Sequence, residues 1–330
     1  MPSYNKADYI KEAVSSVLRQ KTTFEIKLII TDDGSTDGTL EIALDYQKNN
    51  PDKIIVLPSP KNHGLLSNIL KAYRKMDSEY FCCLDPDDYW TDDNFLQEAV
   101  SFLDKHPQYS IYAANTQSLF PDGSLFPAVT MKEAYIDSSF ADIFTEKAVL
   151  GNTISSVFRN IALTDNVLNK IEKFIGNPYN EHSVREDDFR NRIHLHHGKA
   201  HFVNKFIGIY RSTPTGLFQG SNKLKKINLK CKSYIDMYSF FDKKYPQFVD
   251  LAKKQIKRIE SSCIKGDLNR CLKYPLNDVS QFLQNLREIS LYDADFKIQI
   301  WQDIQETRQM KKPKNKIKRA FTNLYAKLFK

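Results

Sequence analysis

Two acidic clusters hold the residue types and spacing that chemistry would need. Asp32-Asp33-Gly34-Ser35-Thr36-Asp37-Gly38 follows the segment EIKLIIT at 25–31, and Asp85-Pro86-Asp87-Asp88 follows the run EYFCCL at 79–84. Carboxylates repel phosphate unless a divalent cation lies between them, and Mg²⁺ takes one or two carboxylates together with substrate phosphate oxygens. Asp85 and Asp87, separated by one rigid proline, suit that task. No G-x-G-x-x-G follows a strand and no G-x-x-x-x-G-K-[ST] occurs, so a phosphate would not rest in a glycine-rich cradle. The chemistry inferred is a metal-bridged diphosphate, that is, a nucleotide-activated donor. The plainer reading of the first cluster is a turn with Thr36 or Asp37 capping the next helix. It also half-matches a calcium loop starting at Asp33, but the twelfth place is Leu44 and a strand precedes it, which excludes calcium.

The elements that must position these clusters alternate along residues 1–115. A helix is expected over 7–20, with Ile10, Ala13, Val14, Val17 and Leu18 on one face. Strands are expected at 25–31, 53–58, 79–84 and 109–115, and helices near 38–49, 64–76 and 93–105. Such alternation implies βαβ units, and EYFCCL reads as a strand buried on both faces of a parallel sheet. In an open α/β sheet ligands bind beyond the carboxyl ends of the strands, where both acidic clusters fall. Beyond residue 116 the pattern loosens, with a turn at Pro121-Asp122-Gly123, strands at 151–159 and 201–210, and a helix at 185–197. From 223 onward the chain reads as helices.

Composition narrows the classes. The chain has 330 residues, 41% hydrophobic and 27% charged, a globular balance. No run of 18 apolar residues and no basic-then-apolar leader occurs. Five cysteines, Cys82 and Cys83 adjacent, form neither a disulfide framework nor a zinc pattern. A reducing cytoplasm fits best. The net charge of +8 comes wholly from residues 311–330, whose eight Lys/Arg leave 40 basic and 40 acidic groups in 1–310. A nucleic-acid partner would spread basic groups over the body, so none is expected. His194, His196, His197 and His201 lie within eight residues, but Gly198 interrupts them and no Cys or carboxylate completes a tetrahedral set. They read as a helix end facing solvent or acceptor.

Pro2-Ser3-Tyr4-Asn5, Val17-Leu18-Arg19-Gln20, Asp32 through Thr39, Asn62-His63-Gly64 and Leu84-Asp85-Pro86-Asp87-Asp88 occur in order, and together they resemble family 2 glycosyltransferases. The resemblance is specific over 1–115, weaker over 116–222 and absent beyond. It implies the GT-A fold, an α/β nucleotide-diphospho-sugar transferase fold with a mostly parallel sheet, here followed by a C-terminal helical region. It also implies inverting transfer of a sugar from a nucleotide donor, usually UDP-linked, with Mg²⁺ or Mn²⁺ as cofactor. Carried over, Pro2 and Tyr4 belong to the donor site, with Tyr4 stacking on the base. Asp33 accepts a hydrogen bond from the uracil edge with Asp32 beside it. Asp85 lies near the ribose and metal, and Asp87 coordinates the metal. Inversion is an in-line displacement, so a carboxylate must take the acceptor hydroxyl proton. Asp187, in Glu186-Asp187-Asp188 and 100 residues after Asp87, is the candidate base, with Glu186 and Asp188 as alternates. The plainer reading is an acid-rich helix N-terminus. Arg211, before Gly216-Leu217-Phe218, resembles a residue of the loop over the donor; it contacts the diphosphate or forms a surface ion pair. The family places an apolar strand before Pro-Ser-Tyr-Asn, and here Met1 stands at its last position, so that strand is expected to be missing or truncated.

The domains expected are 1–222 for the transferase, 223–310 for a helical region and 311–330 for a basic tail. Ile317, Phe321, Leu324 and Leu328 fall on one side of that tail, with lysines on the other. It reads as an amphipathic helix lying on an anionic membrane, or as a terminal helix packed on the helical region. The expected partners are therefore a nucleotide-sugar, a glycan or lipid-linked acceptor, and the inner face of the cell membrane, with a role in bacterial surface polysaccharide synthesis. The alternative is a catalytically silent nucleotide-sugar or glycan-binding subunit of a membrane-associated assembly.

Overall fold

A computed structural model describes residues 1–173, 186–213, 222–263, 276–296 and 298. The tail helix expected at 311–330 and the segment Gly216-Leu217-Phe218 lie outside the described residues. The chain divides into two compact units, one of residues 1–176 and 186–219, the other of 177–185 and 220–330.

The first unit opens with a parallel sheet of β1 (Pro2–Ser3), β2 (Leu28–Asp32) and β3 (Ile54–Pro58), in that order. Helices α1 (Ile10–Leu18) and α2 (Thr39–Asn49) connect these strands, and α3 (Leu65–Lys75) follows them. The expected helical face of α1 is the buried one: Ile10, Ala13, Val14 and Val17 pack with Ile30 and Ile54 in the core. β1 has two residues, preceded by Met1, which is buried in the same core and whose carbonyl accepts from Thr31 at 3.0 Å.

A second, mixed sheet comprises β4 (Tyr80–Cys82), β5 (Tyr89–Trp90), β6 (Tyr109–Leu119), β7 (Leu125–Pro127), β8 (Tyr135–Ser138), β9 (Ser156–Arg159) and β10 (Lys199–Arg211). The order is β4-β9-β6-β10-β5, with β7 on β6 and β8 on β10. Only β6 and β10 pair in parallel; the other pairs run antiparallel. EYFCCL is therefore not the parallel strand expected, because its partner is antiparallel β9. Its alternating exposure, with Phe81 buried between the half-buried Tyr80 and Cys82, fits that edge position. Helix α4 (Phe95–Lys105) buries Phe95, Leu96, Ala99, Val100 and Leu103, and α5 (Phe140–Phe144), α6 (Asp165–Glu172) and α7 (Glu186–His197) complete the unit. Trp90, almost fully buried, donates from Nε1 to the Ile154 carbonyl at 2.8 Å and so ties the strand after the second acidic cluster to the core.

In the second unit the described residues include the helices α8 (Lys223–Phe240), α9 (Gln247–Cys263) and α10 (Leu276–Tyr292). Asn222 caps α8 by accepting from Lys225 N at 2.9 Å. Lys232, buried, pairs with Asp236 at 2.5 Å and with Glu288 at 3.1 Å, so its charge is balanced by two carboxylates.

Candidate active site

The two acidic clusters fold differently. Asp32, at the end of β2, is fully buried, and its Oδ2 accepts from Gly34 N and Ser35 N at 3.1 and 2.9 Å. That is the turn chemistry expected of an Asp followed by glycine. Asp33, also buried, accepts from His63 N and Gly64 N, both at 2.9 Å, which joins the turn to the segment leading into α3. Each carboxylate oxygen carries two lone pairs, so Asp33 retains acceptor capacity. Gly34 has φ 74°, and a Cβ there would stand 2.7 Å from the Lys61 carbonyl carbon, so only glycine fits. Tyr4, beside this turn, is 44% exposed, the state a base-stacking ring requires.

The second cluster is a tight turn closed by Asp88 N donating to Asp85 O at 3.1 Å. Asp88, buried, accepts from Arg211 N at 2.7 Å, while Arg211 Nη1 donates to the Asp87 carbonyl at 2.8 Å. The Arg211 guanidinium also pairs with Glu12 and lies between the rings of Tyr9 and Tyr89, at 5.4 and 4.7 Å. Arg211 thus braces the acidic turn from the end of β10. Gly208 allows this approach, since a Cβ there would meet Tyr89 O at 2.7 Å.

Charge accumulates here. Burial, then the neighbouring charge of Asp87, pushes the Asp85 carboxyl up to about 7. Burial and then Asp85 hold Asp88 well above the usual carboxylate range. Lys6 supplies one counter-charge, its Nζ 2.5 Å from Asp87 Oδ2. Asp88 Oδ2 is buried without a hydrogen-bond partner. A divalent cation fits this set: crowded hard oxygen donors, with Asp85 raised by burial and by its acidic neighbour. Among the described residues no three His, Cys, Asp or Glu side chains converge as a metal cage. Asp85 and Asp87 would hold the cation with phosphate oxygens completing the shell.

The three consecutive acids of α7 separate by environment. Glu186 is buried against Arg190, whose Nη1 donates to its two oxygens at 2.9 and 2.7 Å, and Tyr73 also donates to it. Arg190, almost wholly buried, further contacts Tyr73 Oη at 3.1 Å and Cys83 Sγ at 2.9 Å. Asp188 lies 3.4 Å from Arg192. Asp187 accepts from the main-chain N of Asp188 at 2.9 Å. Tyr210 precedes Arg211 on β10. Burial, then the charges of Asp88, Asp85, Asp87 and Asp187, push its hydroxyl up to about 12. The acidic turn and Asp187 therefore act electrostatically on one side chain.

The histidines have other partners. His194 is buried against Phe81 and Phe158 with Nδ1 on the Arg190 carbonyl at 2.7 Å, and His201 pairs with Asp137 at 2.7 Å. Lys6 and the Tyr73–Cys83–Arg190 cluster were not singled out from sequence. The i,i+4 spacing of Glu186 and Arg190 was the available signal for the latter.

Comparison with known proteins points the same way. Residues 1–123 match the family described as glycosyl transferase family 2. The chain is 33% identical over 127 residues to dTDP-rhamnosyl transferase RfbG of Shigella flexneri, covering 37% of this chain and 43% of that protein. It is 38% identical over 102 residues to the putative teichuronic acid biosynthesis glycosyltransferase TuaG of Bacillus subtilis, covering 31% and 39%. The chain thus spans less than half the length of the curated relatives it matches. Residues 1–349 of S. aureus TarS, solved in complex with UDP-GlcNAc, superpose with a TM-score of 0.63 at 19% identity, covering 90% of this chain and 81% of that one. This likeness shows the GT-A fold.

Proposed function

We propose, since residues 1–123 match glycosyl transferase family 2, that the chain transfers a sugar from a nucleotide donor to a hydroxyl of a glycan or lipid-linked acceptor, with inversion. The observation that carries this reading is the acidic turn Asp85–Asp88 held at the end of β10 by Arg211, which donates from N to Asp88 at 2.7 Å and from Nη1 to the Asp87 carbonyl at 2.8 Å. Asp187 takes the acceptor proton as the acceptor oxygen attacks the anomeric carbon and the bond to the diphosphate breaks. Glu186 is committed to buried Arg190, which argues against that alternate, and Asp187 is our choice for the base. Tyr4 stacks on the base, Pro2 shapes that turn, and Asp32 orders the loop from which Asp33 accepts the N3–H of the base. Uracil and thymine present that same edge, so the donors named for TarS and RfbG are both compatible with Asp33; UDP is our choice. Asp85 and Asp87 hold Mg²⁺ or Mn²⁺, which when bound supplies positive charge to the leaving diphosphate. Arg211 reaches the site by bracing the acidic turn.

The relatives named for rhamnosyl transfer and teichuronic acid biosynthesis support a role in surface polysaccharide assembly. Among the described residues no helix is long and apolar enough to cross a membrane. Attachment at the inner membrane face is assigned to the basic segment 311–330, and Phe321→Ser with Leu324→Ser in the full chain should weaken its co-sedimentation with anionic vesicles. Thermal stabilisation by UDP, dTDP and GDP, with and without Mn²⁺, tests the donor. Metal-dependent stabilisation by the uridine or thymidine nucleotide is expected, and a preference for GDP would reject the Asp33 assignment. UDP binding without UDP release from any UDP-sugar would favour the silent-subunit reading.

A further inference from the structure

An aromatic pair has one ring on the same sheet face as Tyr210. Ser118 of β6 pairs with Tyr210 of β10 on one side and with Phe126 of β7 on the other. Paired residues share a face of a sheet, so Tyr210, Ser118 and Phe126 form one row. With strands about 4.8 Å apart, the Phe126 and Tyr210 backbones are about 10 Å apart. Phe120, just past the end of β6, brings its ring edge-on to Phe126 at 5.8 Å. The rings are 37% and 58% exposed. Leu119 and Leu125, the next pair, point to the opposite face.

The hairpin that carries these rings is closed. Gly123 N donates to Phe120 O at 2.9 Å, Phe120 N to Ser124 O at 3.0 Å, and Asp122 accepts from Ser124 N at 3.0 Å. Gly123 has φ 84°, so the loop is a tight turn with glycine in the left-handed position. Downstream, Asn115 clamps Val129 through both its amide groups, at 2.7 and 3.1 Å. Such rings are ordered before any ligand arrives, which removes part of the entropic cost of binding.

Charge decides between occupants. Residues 115–130 contain no Lys or Arg and a single acid, Asp122. A surface that enters an anionic membrane pairs its aromatic groups with basic ones, and residues 115–130 supply none. A pyranose ring presents a face of C–H groups that stacks on an aromatic ring, and it needs no counter-charge. We propose that Phe120 and Phe126 form a stacking shelf for a neutral sugar ring of the acceptor, beside the acidic turn. The word acceptor rests on the transferase reading; the affinity of the shelf for sugar does not.

The test uses the full chain, Phe126→Ser and the Phe120→Ser/Phe126→Ser double variant. Each is applied without nucleotide to an array of neutral tetrasaccharides of β-linked glucose, β-linked N-acetylglucosamine and α-linked mannose. Each is also titrated with UDP and Mn²⁺ and mixed with phosphatidylglycerol-containing vesicles. The wild type should bind at least one glycan, with about tenfold weaker binding in the single variant, the size a lost aromatic contact gives, and further loss in the double. UDP affinity and vesicle binding should not change. The proposal is overturned if the wild type binds no glycan, if the variants bind as well as it does, or if vesicle binding is what they lose. Absence of UDP binding in the wild type would instead overturn the donor reading and leave the array result standing.

Discussion

Glu186 and Arg190 form a buried ion pair one helical turn apart, Oε2 to Nη1 at 2.7 Å, with Tyr73 and Cys83 completing the guanidinium's surroundings. The pair fixes the first turn of α7 against α3 and the exit of β4, and so sets where Asp187 stands. Removing one partner strands a buried charge. Glu186→Gln is therefore expected to lower stability by about 3–5 kcal/mol, measured by urea unfolding, with UDP binding by the folded protein unchanged. A stable Glu186→Gln variant that has lost transfer would make Glu186 the base.

Lys6 holds Asp87 at 2.5 Å and so competes with a cation for the same carboxylate. Lys6→Met should tighten Mn²⁺ binding in the absence of nucleotide. Partly exposed pairs contribute up to about 1 kcal/mol, so the gain should be up to about fivefold by electron paramagnetic resonance titration. Weaker Mn²⁺ binding would mean that Lys6 orients Asp87 instead of competing for it.

Much of the first unit was legible in residues 1–115 because strict apolar periodicity and short connections leave few alternatives. The five segments of α1, β2, α2, β3 and α3 fall within three residues of their expected bounds at each end. The strands that were missed, β5, β7 and β8, are two to four residues long, too short to show a period. The direction of β4 was misread because an apolar run reports burial and not the sense of its partner. The acids of the site could be found by type and spacing, whereas Lys6 meets Asp87 from 81 residues away and Arg190 meets Cys83 from 107.

Gly208 offers a steric test of how β5 and β10 hold the acidic turn. Gly208→Ala places a methyl group 2.7 Å from Tyr89 O. Such overpacking costs about 1–3 kcal/mol and should weaken UDP–Mn²⁺ binding through displacement of Asp88 and Arg211. Calorimetry showing wild-type affinity would detach the turn's position from the strand pairing.

His194 predicts an acid limb in stability. Burial, above all, pushes its imidazole down to about 3 from the ordinary 6.5, so the folded chain keeps it neutral while the unfolded chain protonates it. The unfolded state binds the extra proton as pH falls from 6.5 towards 3, and stability falls across that window by up to about 1.4 kcal/mol per pH unit. Above 6.5 the contribution is constant. His194→Gln should flatten the pH dependence of the melting temperature between pH 6.5 and 4 relative to wild type. An unchanged slope would mean that His194 protonates within the fold.

The most direct measurement compares Asp187→Asn with the wild type in two assays on the same preparation, UDP–Mn²⁺ titration and single-turnover sugar transfer. The substitution keeps the shape and the acceptor of the Asp188 N–H bond but removes the proton-accepting charge. Donor affinity should match the wild type, and transfer should fall by about two to four orders of magnitude, the usual contribution of a general base. Transfer at the wild-type rate with intact donor binding would contradict the account, because the proton would then be taken by a group other than Asp187.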